Sequence, residues 1–141
     1  MYKVMLFLHI VGTLGLGFYL VLPFVLGSVS KLSLAAQEGT VSAVKTLNRY
    51  AQIALVIQLL TGGYMISKGD YSVAWMVVVV VLFLAIGAFS GILAKPLRLA
   101  LEAIRQNKKI TAQASKLTTL SAALSVCVLL IAFFMVYDSI I

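Results

Sequence analysis

The chain has 141 residues, 62% of them hydrophobic and 11% charged, with a formal net charge of +7. A water-soluble domain of this length cannot bury so much apolar surface, so the composition excludes a soluble globular protein. The basic residues lie between the apolar runs and not on one folded face, which argues against nucleic acid as a partner. The lone cysteine, Cys127, excludes an intramolecular disulfide and is expected to be a small buried residue.

The first apolar run contains the only histidine of the chain, His9. About 20 apolar residues at a rise of 1.5 Å per residue cover the ~30 Å hydrocarbon core of a bilayer. The run is too long for the apolar core of a signal peptide, so we expect a retained helix over residues 4–28. Pro23 removes one backbone donor and predicts a kink near the carbonyl of Tyr19.

Three further apolar runs predict spanning helices over about 48–67, 72–94 and 117–138. The chain is therefore predicted to be one all-α domain, a polytopic membrane protein with four transmembrane helices in an antiparallel up-down bundle. The longer connections, 29–47 and 95–116, are expected on the cytoplasmic side.

Local signals predict where the helices begin and end. Thr40 is a suitable N-cap for the second helix. Pro96 is expected to bend the chain after the third span. Beyond it, Leu97, Leu101 and Ile104 share one face, which predicts an amphipathic segment lying along the membrane surface.

The basic residues predict the orientation in the membrane. The two longer connections, together with Arg49 at the entry of the second span, carry nine of the eleven Lys and Arg residues: Lys31, Lys45, Arg49, Lys95, Arg98, Arg105, Lys108, Lys109 and Lys116. Because cytoplasmic loops are enriched in Lys and Arg, both termini are predicted outside, N-out and C-out. The same residues are expected to contact anionic lipids.

Small residues in the spans predict close helix packing. Gly12 and Gly15 lie in the first span, and Gly87 and Gly91 lie one turn apart in the third. Membrane helices gain little from the hydrophobic effect against one another, so such positions allow neighbouring backbones to approach. The Gly87 and Gly91 face is also a candidate homodimer contact.

His9 is a candidate ligand of a cofactor or metal. All the methionines map to the same half of the membrane as His9, among them Met5, Met65, Met76 and Met135. Imidazole and thioether ligands suit Cu(I), and both residue types also bind haem iron. Alternatively, His9 bonds a carbonyl or polar neighbour, and the methionines fill irregular apolar packing.

Three polar residues interrupt the second span, namely Gln52, Gln58 and Thr61. Hydrogen bonds between helices are their simplest role, and the lining of a polar intramembrane path is the alternative. The middle of each span lacks Asp, Glu, Lys and Arg, which argues against a conventional proton- or sodium-coupled carrier.

An outer-side polar cluster is predicted near the depth of His9. It consists of Tyr64, Trp75 and Asp138. A carboxylate such as that of Asp138 is able to orient an imidazole ring and to favour its charged form, so these residues predict a proton-sensitive pair.

Three short motifs resemble those of a broad group of bacterial four-helix membrane proteins. They are Leu8-His9-Ile10-Val11-Gly12, Leu60-Thr61-Gly62-Gly63-Tyr64 and Trp75 at the start of a glycine-containing span. The group includes an uncharacterised predicted integral membrane family, the nearest match, and more distantly the copper-resistance D domain and the HemJ-type protoporphyrinogen oxidase. The resemblance implies a bacterial cytoplasmic membrane protein and puts the haem-associated histidine of the enzyme relatives at His9. Valines 77–81 occupy the stretch where those enzymes carry a lysine, so the enzymatic activity is not implied.

Two functions remain open from the sequence. The first is a non-enzymatic transport or membrane-accessory component, since the chain contains no nucleotide loop, catalytic triad or pair of carboxylates. The second is a haem- or copper-binding redox protein that uses His9.

Overall fold

The computed structural model describes residues 2–137, and all regular secondary structure in that range is helical. The helices are α1 (Tyr2–Leu16), α2 (Phe18–Ser28), α3 (Leu34–Lys68), α4 (Val73–Arg105) and α5 (Thr111–Val136), with a 3₁₀ turn at Val29–Lys31. Four helical stretches in this range are long and apolar enough to cross a membrane. The predicted fold, an all-α bundle of four membrane helices, is confirmed.

The four spans form a closed ring in which each packs against two neighbours, with α1 and α2 together making the first span. α1 packs on α3, α3 on α4, α4 on α5, and α5 on α2. Residues 2 and 137 and the turn 69–72 lie at one end, here called the terminal end. The connections 29–33 and 106–110 lie at the other end, here called the basic end.

The apolar core lies in the half of the bundle nearer the basic end. Its largest fully buried side chains are Tyr19, Leu22, Leu26, Ile86, Leu93, Leu97, Leu117 and Leu124. In the terminal half, Thr61 is the one buried residue of α3 beyond Leu55, and Trp75 and Val79 are buried on α4. Polar contacts between helices therefore carry more of the packing in the terminal half.

The first span is interrupted at Gly17, between α1 and α2, and not at Tyr19. The Gly17 amide donates to the carbonyl of Leu14 at 3.2 Å, a tighter turn than an α-helix makes. Pro23 lies inside α2, and the hydroxyl of Ser125 on α5 donates to the carbonyl of Leu20 at 3.2 Å. A neighbouring hydroxyl is one of the groups that make proline tolerable in a membrane helix.

Helices α3 and α4 extend further toward the basic end than the sequence predicts. The N-cap of α3 is Ser33, whose hydroxyl accepts from the Ala36 amide at 3.3 Å, so the expected start at Thr40 is wrong. An N-cap needs extended backbone dihedrals, and Ser33 has them, with φ −62° and ψ 159°.

The expected surface segment after Pro96 is also wrong. α4 continues through Pro96 to Arg105, and Leu97, Leu101 and Ile104 are buried in the core. The apolar face that resembled a membrane-surface helix packs inside the protein, where the same core cluster includes Leu117 of α5. Amphipathicity alone does not distinguish a lipid surface from a neighbouring helix.

Candidate functional site

The contact between α1 and α3 in the terminal half, here called the α1–α3 seam, is built on glycine. A Cβ at Gly12 would collide with the side-chain oxygen of Gln58, and a Cβ at Gly15 would lie 3.1 Å from the Cβ of Ala54. The two helices are antiparallel and approach closely because these positions carry no side chain.

His9 occupies this seam with a defined hydrogen bond. Its Nδ1 lies 3.0 Å from the hydroxyl of Thr61, and that hydroxyl lies 2.7 Å from the carbonyl of Ile57. A carbonyl only accepts, so the single hydroxyl proton of Thr61 goes to Ile57. When this proton is on the bond to Ile57, the Thr61 oxygen accepts from Nδ1 of His9, and the proton of the neutral ring lies on Nδ1. The lone pair of Nε2 is left for another group.

Gln58 completes the seam one turn away. The hydroxyl of Thr13 donates to the carbonyl of His9 at 2.9 Å, so its oxygen accepts from the amide nitrogen of Gln58 at 2.8 Å. This assignment turns the amide oxygen of Gln58 toward Gly12. That oxygen is buried and has no hydrogen-bond partner among the described residues.

The seam therefore offers one buried acceptor without a donor among the described residues. It is the amide oxygen of Gln58, one turn from the imidazole ring of His9. A buried acceptor left unpaired costs ~1–3 kcal/mol, so the seam favours a species that brings hydrogen-bond donors or positive charge. The sequence pointed to His9, Gln58 and Thr61 on separate grounds, and the structure brings the three together. Thr13 was missed, although it lies one turn from His9 on the same helix.

Gln52 belongs to a second polar group, nearer the basic end. The Tyr19 hydroxyl donates to the side-chain oxygen of Asn48 at 2.6 Å, and the Asn48 amide donates to the carbonyl of Ser90 at 3.1 Å. The Gln52 amide approaches the same carbonyl at 3.4 Å. Tyr19, Asn48 and Ser90 are 0%, 3% and 1% exposed. We call these three residues the polar clasp, because they join α2, α3 and α4.

Sequence analysis missed the polar clasp. Asn48 was not singled out as a site residue, and Tyr19 was considered only for its backbone carbonyl near the expected kink. The available signal was the presence of two polar side chains in apolar helices, since a buried amide or phenol requires a hydrogen-bond partner.

The methionines divide between two helix pairs. Along the α1–α3 seam, His9 pairs with Thr61, and one turn closer to the terminal end the same antiparallel register sets Met5 level with Met65. Both are half-buried. Met76 and Met135 lie on α4 and α5, which form the opposite side of the ring.

The predicted outer-side residues have separate partners. The indole N–H of Trp75 donates to the carbonyl of Phe134 at 2.6 Å, which ties α4 to α5. The Tyr64 ring lies 5.8 Å from the ammonium of Lys68. Asp138 lies outside the described residues.

The remaining sequence-predicted positions lie away from the seam. Gly87 and Gly91 face open space, since a Cβ at either position would meet nothing within 4 Å. Among residues 2–137, nothing therefore packs against these two positions. Cys127 is half-buried beside the apolar core.

Comparison with known proteins identifies the family. The model of a family described as "Predicted integral membrane protein (DUF2269)" matches residues 3–138, which is nearly the whole chain. The chain belongs to this family. The expected membership of an uncharacterised integral membrane family is thus confirmed, and membership of DUF2269 agrees with the four spanning helices. No curated protein and no solved structure matches the chain significantly, and the expected similarity to the copper-resistance D domain and the HemJ-type enzyme gains no support.

Proposed function

We propose that this chain is a non-enzymatic transport or membrane-accessory component whose α1–α3 seam admits a small cation or a hydrogen-bond-donating solute. The observation that carries the proposal is the buried amide oxygen of Gln58, which has no hydrogen-bond partner among the described residues. It lies with the imidazole of His9 in the loosely packed terminal half. A bound donor or cation supplies the interaction that this oxygen lacks.

Further polar side chains lie along α3 toward the basic end, although not on one face of the helix. They recur at Thr61, Gln58, Gln52 and Asn48. At 1.5 Å per residue they cover roughly 20 Å of the ~30 Å apolar core. The polar side chains of the clasp are hydrogen-bonded to one another, so in this proposal the clasp blocks passage of a solute until the solute displaces one of these hydrogen bonds.

A flux assay with purified protein in liposomes tests this proposal. Protons, ammonium, sodium and potassium are the probes, because the unpaired oxygen of Gln58 accepts hydrogen bonds. We expect passage of at least one of them, and we expect His9→Ala and Gln58→Met to change its rate several-fold. Gln113→Leu is the control, since Gln113 lies near the start of α5, away from the seam. Rates no higher than in protein-free vesicles, or equal rates in all variants, would refute the transport proposal.

The second candidate, a copper- or haem-binding redox protein, is favoured by a separate observation. The Thr61 hydroxyl is hydrogen-bonded to Nδ1 of His9, and the register sets Met5 and Met65 one turn away. One imidazole nitrogen and two thioethers form a donor set that suits Cu(I). The close approach of Gly12 to Gln58 favours a single ion over a porphyrin in this seam.

Competition with a Cu(I) chelator tests the second candidate. We expect Thr61→Val to weaken Cu(I) binding about tenfold or more, because groups that orient a ligating histidine contribute on this scale. His9→Ala, Met5→Leu and Met65→Leu weaken it as well. Met135→Leu is the matched control, on the other side of the ring. Binding unchanged by His9→Ala removes this candidate, and a Soret band that disappears in His9→Ala identifies haem instead.

The proposed setting is the bacterial cytoplasmic membrane, with both termini outside. The nine basic residues of the longer connections support this orientation and support contact with anionic lipid headgroups. The open face at Gly87 and Gly91 supports a homodimer through α4, because the chain itself leaves these two positions unpacked.

A further inference from the structure

An apolar groove opens between α2 and α3 in the half of the bundle nearer the basic end. Its volume is about 410 Å³. Six of its lining residues define it: Phe18, Val21 and Val25 on α2, and Gly39, Ala43 and Leu47 on α3. Thr40 contributes the one hydroxyl of the lining.

The break at Gly17 explains why this groove exists. α1 packs on α3, but after Gly17 the chain changes neighbour and α2 packs on α5. The first span therefore moves away from α3 as it approaches the basic end. The bond between Tyr19 and Asn48 holds the two helices together at the deep end of the groove, next to Phe18 and Leu47.

The lining of the groove indicates the occupant. Apart from the hydroxyl of Thr40 the lining side chains are apolar, and none of them is charged. The groove therefore offers contacts to hydrocarbon, at carbon separations of ~4 Å, and no partner for the polar face of an amphipathic helix.

We propose that the groove between α2 and α3 binds an acyl chain of an anionic phospholipid. Val21 and Leu47 are 56% and 46% exposed, so the groove opens sideways toward lipid and not toward the interior of the bundle. The other end of the groove lies near the 3₁₀ turn that carries Lys31, in the half of the bundle with nine of the eleven basic residues. The acyl chain lies in the groove, and the anionic headgroup contacts the basic residues at this end.

Photo-cross-linking tests the proposal. The full chain is placed in vesicles containing phosphatidylglycerol with a diazirine on its acyl chain, and the labelled peptides are identified by mass spectrometry. We expect labelling of residues 18–25 and 39–47 at least threefold above that of residues 77–84 on α4, which include exposed positions such as Val77, Val81 and Leu84. Equal labelling of the groove and of α4 would show ordinary bulk lipid and overturn the proposal.

Two variants and a second lipid sharpen the test. Ala43→Phe fills the groove and is expected to lower its labelling at least threefold, whereas Ala122→Phe adds the same ring to an exposed position on α5 and leaves the labelling unchanged. Phosphatidylcholine with the same probe is expected to label the groove less than phosphatidylglycerol does, and equal labelling would overturn the anionic preference. Efficient disulfide dimerisation of Val21→Cys in a cysteine-free background would indicate a second copy in the groove and also overturn the proposal.

Discussion

The hydrogen bond of the polar clasp between Tyr19 on α2 and Asn48 on α3 predicts a measurable energetic coupling between these two residues. Asn48 bridges the Tyr19 hydroxyl, at 2.6 Å, and the Ser90 carbonyl, at 3.1 Å. Interhelical hydrogen bonds in membrane proteins contribute ~0.6 kcal/mol on average and up to ~1.7 kcal/mol. Asn48→Leu removes both bonds and keeps the side-chain volume similar, so its direct cost is roughly 1–3 kcal/mol.

The same substitution leaves the Tyr19 hydroxyl buried without the oxygen that it bonded. An unpaired buried group of this kind costs ~1–3 kcal/mol, which moves the expected destabilisation of Asn48→Leu toward the upper part of its range. Tyr19→Phe removes one bond and leaves the buried side-chain oxygen of Asn48 without a donor, so it is also expected to cost about 1–3 kcal/mol. In the double variant no unpaired phenol remains, and its destabilisation is expected to be smaller than the sum of the two single values.

A double-mutant cycle measures this difference. The free energies of unfolding of the wild type, Tyr19→Phe, Asn48→Leu and the double variant are compared by reversible unfolding in bicelles. We expect a coupling energy of about 1 kcal/mol between the two positions. Gln113→Leu combined with Tyr19→Phe is the control pair and is expected to be additive. Additive values for Tyr19 and Asn48 as well would refute the assignment of this hydrogen bond.

Other predictions concern packing and orientation. Gly15→Leu introduces a side chain where even a Cβ lies 3.1 Å from Ala54, so we expect a loss of unfolding free energy of about 1–3 kcal/mol. Gly87→Leu adds the same side chain in open space, so we expect unchanged stability of the monomer but a weaker homodimer in cross-linking; unchanged dimerisation would contradict the proposed contact. In a cysteine-free background, Lys68→Cys is expected to react with an impermeant maleimide on intact cells, and Lys108→Cys only after permeabilisation; the reverse pattern would contradict the orientation.

The composition of this sequence indicates that the protein lies in a lipid bilayer, and its apolar runs determine the number of membrane-spanning helices. Runs of about 20 apolar residues separated by polar turns have one stable arrangement in lipid, namely helices that satisfy their own backbone. The all-α bundle was predictable for this reason, including helical structure in the valine run 77–81, which now lies within α4. No contact between helices was needed for this conclusion.

Helix ends were less predictable because local signals compete with tertiary packing. Thr40 and Ser33 are both acceptable N-caps by residue type, and the apolar contacts of the basic half extend α3 back to Ser33. In the same half of the bundle, α4 continues past Pro96 because Leu97 and Ile104 pack in the protein core and not against lipid.

The members of the candidate site were recognisable singly, while their grouping depends on register. A histidine, a glutamine and a threonine in apolar spans each require a partner, which is why His9, Gln58 and Thr61 stood out. Only the antiparallel register of α1 on α3 decides that His9 bonds Thr61 and that Gln58 faces Gly12. A shift of one residue rotates a helix by about 100° and would replace every one of these contacts.

The break at Gly17 is likewise a property of the assembled bundle. A glycine and a later proline in one span predict a bend, but they leave its direction and the new neighbour undetermined. Packing of α2 on α5 and of α1 on α3 decides both, and it opens the groove between α2 and α3. The sequence by itself thus determined how many helices cross the membrane, because that depends on apolar length alone; the tertiary structure decided which polar groups remain unpaired and where a groove opens, because those depend on how the helices face one another.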